Sequence, residues 1–123
     1  MKTRVQLTRG ISSVYTGNMK FEWDEEKALK NVTDHGVWFE EAQTVWADTG
    51  ASEYYDGHHS DHEDRFLKVG YSTKQNCLFV VFCEREGDVI RIISARKATK
   101  NEVNAYLDER YGLGSLGVDS SIE

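Results

Sequence analysis

Hydrophobic positions along the chain switch between strand-like and helical spacing, and the switches lay out its elements. "KFEW" (20–23) has strand composition. Asp24 then stands where an N-cap belongs, Glu25 and Glu26 complement the helix dipole, and a helix through about Asp34 stops at Gly36. In "FEEAQTVW", Phe39, Ala42, Val45 and Trp46 recur at helical spacing and predict a short second helix over 39–46. Residues 47–64 are polar and turn-rich. Strand-like runs follow at 65–72, 77–84 and 89–96, joined by "STKQN" and "EREGD". The middle run is apolar on both parities, as in a central strand covered on both faces. Thr99-x-x-Glu102 forms a capping box for a last helix, with Val103, Tyr106, Leu107 and Tyr111 as its buried stripe and Gly112 and Gly114 as its stop. The order β-α-α-β-β-β-α predicts an α+β fold, helices packed on a largely antiparallel four-stranded sheet.

At 123 residues, the chain fits one domain. Residues 1–18 lack periodicity and read as an N-terminal extension, 19–112 as a single domain, and 113–123 as a flexible tail. Cys77 and Cys83 lie on one expected strand, too far apart at about 3.3 Å per residue to bridge, so a reducing compartment is the expectation. No apolar leader segment opens the chain and no run reaches the ~18 apolar residues of a membrane span, which predicts a cytoplasmic protein with no membrane association. The net charge of −6 argues at first against nucleic acid. Its distribution changes that, because residues 65–100 hold eight Lys and Arg against three Asp and Glu. A local basic patch attracts phosphate on an acidic chain, since fields decay over about 8 Å at physiological salt.

Two stretches carry candidate chemistry. In "HHSDHEDR" (58–65), an extended backbone projects His59, Asp61, Glu63 and Arg65 to one side: a base, acids and a cation together. A helical backbone would instead align His58 with His62 at a spacing that suits zinc, although no third ligand is evident; a hydrated polar loop is the plainer alternative. In "VIRIISAR", Arg91 interrupts the row of Val89, Ile93 and Ala95, and Arg96 the row of Ile90, Ile92 and Ser94. A buried guanidinium needs a carboxylate or a polar groove. With Arg65 and Arg85 at the ends of neighbouring strands, several guanidinium forks can converge on a phosphodiester, or each can pair with a helix acid.

From about Lys20 to Glu109 the chain resembles the BrnT family of type II toxin–antitoxin ribonuclease toxins. The resemblance is carried by "KFEWDEEKALKN", "DHGVWFEEAQTVW", "HHSDHEDR" with "VGYS" behind it, and "IRIISARKATKNEVNAY". His59, Ser60, Glu63, Arg65, Gly70, Arg85, Arg91 and Arg96 fall on the family pattern, whereas His58 and His62 do not, which weakens the metal reading. Asp34 stands where the family more often has a basic residue.

The resemblance implies a RelE-like fold and an endoribonuclease that uses neither metal nor cofactor and cleaves RNA by 2′-hydroxyl attack. His59, Glu63, Arg65, Arg85, Arg96 and His35 are the implied catalytic residues, with Arg91, Trp23 and Lys97 binding substrate. A cognate ribbon-helix-helix antitoxin (BrnA-like) is the implied partner, with operator DNA bound only through it. The alternative is a weakly catalytic or non-catalytic module that binds an antitoxin-like partner through its basic sheet face.

Overall fold

A computed structural model describes residues 19–60 and 62–112, so the expected extension (1–18) and tail (113–123) lie outside the described residues. The elements are β1 (Lys20–Glu22), α1 (Glu25–His35), α2 (Phe39–Ala42), β2 (Ser52–Tyr55), β3 (Arg65–Tyr71), β4 (Cys77–Arg85), β5 (Val89–Lys97) and α3 (Lys100–Tyr111). The expected helix ends are where local chemistry puts them. Asp24 accepts a bond from the Glu26 N–H at 2.9 Å, and Gly36 closes α1 in the left-handed region. The Thr99–Glu102 capping box opens α3 and Gly112 ends it. The second helix is shorter than expected: four residues of α2 tighten into a 3₁₀ turn over Gln43–Ala47.

The sheet has five strands in the order β1-β5-β4-β3-β2, not four. The additional strand, β2, lies within the segment read as polar connection. It runs antiparallel to β3 at the sheet edge, with Ser52 buried and the next three residues exposed, so no apolar alternation marks it. Three of the four pairings are antiparallel, and β1 runs parallel to β5.

One sheet face carries Phe21, Leu78, Val80, Phe82, Ile90, Ile92 and Ala95 against Ala28, Val37, Phe39, Ala42 and Val45. Trp46 bridges Phe21 and Phe82 edge-on, with ring centroids 5.2 and 4.9 Å away. Asn31 ties α1 to this core. Its amide donates to the carbonyls of Val37 at 2.9 Å and Ala95 at 2.8 Å, and accepts from the Ala95 N–H at 3.1 Å.

The two interrupted rows of β5 resolve through a β-bulge. Val81 pairs with Ser94 and Phe82 with Ile92, which leaves Ile93 as an extra residue. The parity of β5 therefore changes midway. Ile90, Ile92 and Ala95 all enter the core, while Arg91, Ser94 and Arg96 pair with Cys83, Val81 and Phe79 on the opposite face. Neither arginine is forced into the core.

α3 covers one end of that opposite face. Tyr106 is buried against Tyr71 and donates to Asp48 at 2.7 Å, and Glu109 accepts from Ser52 and Tyr54. Val103 and Leu107 are half-buried. Tyr111, expected in the buried stripe, is 57% exposed beside the Arg110 guanidinium, because α3 contacts the sheet through its Glu102, Tyr106 and Glu109 side.

Candidate active site

At the end of the sheet away from Arg96 and Tyr71, one ladder row runs through four strands. Arg65 stands beside Cys83, Cys83 beside Arg91, and Arg91 beside Glu22. Strands lie about 4.8 Å apart, so the two guanidinium stems flank the thiol at one strand spacing each. Arg85, two residues along β4 from Cys83, shares their face.

Glu63 reaches this row from the turn before β3. Its carboxylate accepts from Arg85 Nη2 at 3.2 Å and faces the Cys83 thiol. The thiol first, and then Arg85, Arg65 and Arg91, hold the Glu63 carboxyl below the usual carboxylate range against an opposing effect of burial. Burial, and then the Glu63 contact, push the Cys83 thiol up to about 11. The thiol thus keeps its proton at neutral pH and is the donor of the pair. Arg91 Nη1 meets Glu22 Oε2 at 2.9 Å. Among the described residues, Arg65 has no ion-pair partner.

The described residues of "HHSDHEDR" form neither the strand nor the α-helix that its parities allowed. Residues Gly57–His59 form a 3₁₀ turn, and β3 begins only at Arg65. What holds the stretch is Ser60, whose hydroxyl donates to the Asp56 carbonyl and accepts the Arg65 N–H at 2.9 Å. The His59 turn is thereby anchored on the first residue of the arginine-bearing strand. His59 Nδ1 lies 3.0 and 3.2 Å from the two carboxylate oxygens of Asp56. Among the described residues, no group of three or more His, Cys, Asp or Glu side chains is placed to hold a metal ion.

The remaining predicted residues stand elsewhere. Arg96 is gripped through both Nη atoms by Glu102, at 2.8 and 2.9 Å, with its guanidinium 4.0 Å from the Phe79 ring centroid. It stands five positions from Arg91, about 15 Å along a strand. Lys97 lies exposed beside it. His35 ends α1 on the core side of the sheet, near the Ala95 end of β5 to which Asn31 bonds. Trp23 is 3% exposed and packs edge-on against Phe39, so its ring faces are spent on the core.

The structure thus brings Glu63, Arg65, Arg85 and Arg91 together, and ties the turn that carries His59 to the backbone of Arg65. Residues that sequence reasoning missed are Cys83, which composition marks only as a small buried hydrophobe, Glu22, and Asp56. Asp56 had a legible signal: an acid three residues before a histidine, across a glycine turn.

These features define a small mixed α+β protein with a cationic, carboxylate-centred cluster on a sheet end that none of the described helices covers. The model of the family described as "Ribonuclease toxin, BrnT, of type II toxin-antitoxin system" matches residues 23–102. The chain belongs to this family of type II toxin–antitoxin ribonuclease toxins. Among solved structures, the chain is similar to the Brucella abortus ribonuclease toxin BrnT, with 22% identity over 63% of this chain and 94% of that one and a TM-score of 0.49. No curated protein matches it. None of the helices among the described residues is long and apolar enough to cross a membrane.

Proposed function

We propose that this chain cleaves RNA without a metal ion, at a phosphodiester held by Arg65, Arg85 and Arg91. The observation that carries the reading is the convergence of these three guanidinium groups on the Glu63 carboxylate, at a sheet end that none of the described helices covers. Fixed guanidinium forks match phosphate oxygens and stabilise charge that grows on them as the 2′-oxygen attacks. Proton roles follow from acidity. A carboxyl held below its usual range is ionised at neutral pH, so Glu63 accepts the 2′-hydroxyl proton and cannot supply the other one. The acid that protonates the leaving 5′-oxygen is His59, the side chain type that titrates nearest neutral pH. Arg96, His35, Trp23 and Lys97 are left out of this site.

The partner is a cognate antitoxin of the ribbon-helix-helix type (BrnA-like), and operator DNA is bound only through it; the cytoplasm is the compartment that fits these roles. A second reading has one observation in its favour. Arg85 and Arg91 are already paired with Glu63 and Glu22, on a face that also carries the half-exposed Leu67 and Val81. That arrangement suits a protein partner with little catalysis.

The test is RNA degradation by antitoxin-free protein in EDTA. Arg65→Ala and Glu63→Ala should each lower the rate by about tenfold or more. Full activity in both variants removes the site, loss of wild-type activity in EDTA removes metal independence, and expression without growth arrest favours the binding module.

A further inference from the structure

Three histidines crowd residues 58–62, and the structure treats them differently. His58 and His62 are exposed with no hydrogen bond from their rings among the described residues, whereas His59 is held by Asp56. The pair is asymmetric. The Asp56 side chain is 13% exposed and that of His59 is 71% exposed. A surface ion pair of two solvated groups contributes little to stability, and an exposed imidazole needs no buried partner for solubility. A nearly buried carboxylate aimed with both oxygens at one ring nitrogen does something else: it fixes the ring.

The carboxylate is itself fixed. Asp56 directly follows β2, its N–H donates to the Arg65 carbonyl at 2.8 Å, and its own carbonyl accepts from Ser60. The His59 N–H points back to the same carbonyl at 3.4 Å. Both ends of the turn are therefore pinned to Arg65, and Asp56 reads out the position of β3 to the imidazole.

We infer that Asp56 is a positioning residue that holds His59 as the Nδ1–H tautomer and leaves Nε2, on the far side of the ring, as the proton-transferring atom. An ionised carboxylate only accepts, so the nitrogen beside it carries hydrogen in either protonation state of the ring. In the forward step the 2′-oxygen–phosphorus bond forms as Glu63 takes the 2′-hydroxyl proton. The phosphorus–5′-oxygen bond breaks as that oxygen takes the proton from Nε2, giving a 2′,3′-cyclic phosphate and a 5′-hydroxyl. His59 ends neutral with hydrogen on Nδ1, the tautomer Asp56 selects, and solvent exchange returns the proton from Glu63 to Nε2. This assignment rests on the proposed ribonuclease function and adds to it a residue and an atom.

Two measurements on the full chain test it. Nitrogen-15 NMR of the histidine rings at alkaline pH should show neutral His59 with hydrogen on Nδ1, and Asp56→Asn should abolish that preference while His58 and His62 are unchanged. In RNA cleavage, Asp56→Asn should lower kcat by about tenfold to hundredfold and leave KM within about twofold. The double variant Asp56→Asn with His59→Ala should be no slower than His59→Ala alone. A wild-type Nε2–H tautomer, or unchanged kcat in Asp56→Asn while His59→Ala is inactive, overturns the positioning role alone. Full activity in His59→Ala overturns the acid assignment beneath it, and loss of activity in Glu63→Ala with His59→Ala intact would confine the chemistry to the arginine row.

Discussion

Replacing Glu102 by Gln removes the charge that Arg96 grips while keeping a side chain of the same length. The Arg96 fork, and then the Thr99 N–H, bring the Glu102 carboxyl down to about 2 from 4.5. At about 1.4 kcal/mol for each tenfold change in acidity, that difference sets a ceiling of about 3 kcal/mol. The Glu102 and Arg96 side chains are 26% and 35% exposed, so water screens part of it. The expected loss at pH 7 is about 1–2 kcal/mol. A carboxyl held below its unfolded value gives stability that is complete above that value and is lost as pH falls through the folded one. Urea unfolding should therefore show the full difference between wild type and variant at pH 7, a shrinking one below about pH 5, and little by about pH 2. RNA cleavage should stay within about twofold, since the pair stands about 15 Å along β5 from Arg91. Equal stability at pH 7, or a difference that persists unchanged to pH 3, would refute the strut. A large loss of cleavage in a stably folded variant would return Arg96 to the active site.

Two further outcomes follow from other contacts. Cys83→Ala removes the first of the groups that hold the Glu63 carboxyl down, so the acidic limb of the cleavage rate should move to higher pH, and Cys83→Ser should restore it; an unmoved limb in the Ala variant would mean that Glu63 is not the base. Asn31→Ala orphans the Val37 carbonyl and both backbone groups of Ala95 on a buried helix–strand contact, and should lower stability by about 2–4 kcal/mol in thermal or urea unfolding. A loss under about 1 kcal/mol would show that the backbone relaxes to find other partners.

Placing the arginines separates two jobs that one sequence pattern had merged. Glu63 lies near Arg65, Arg85 and Arg91, which after the Cys83 thiol depress its proton affinity. Arg96 instead locks the first turn of α3 to β5, through the glutamate that also closes the capping box. Both kinds of site need a guanidinium next to an acid, so residue type alone does not distinguish them. The distinction is position: one cluster lies at the end of the face that none of the described helices covers, and the other lies where α3 begins.

Caps, helix starts and the central strand were legible in the sequence because their signals act within one or two turns of chain. Asp24 reaches Glu26, Thr99 reaches Glu102, and the apolar residues of "CLFVVFC" report burial on both sides wherever the strand is placed. Even the acid–imidazole pair of Asp56 and His59 is local enough to read, three residues apart. The fifth strand, the bulge at Ile93 and the Glu63–Cys83 contact were decided by the tertiary structure. β2 is a strand because β3 offers it hydrogen bonds, not because its side chains alternate. One extra residue in β5 moves Arg91 and Arg96 onto the same face, and strand register is settled by pairing with β4 across the core rather than by either strand alone.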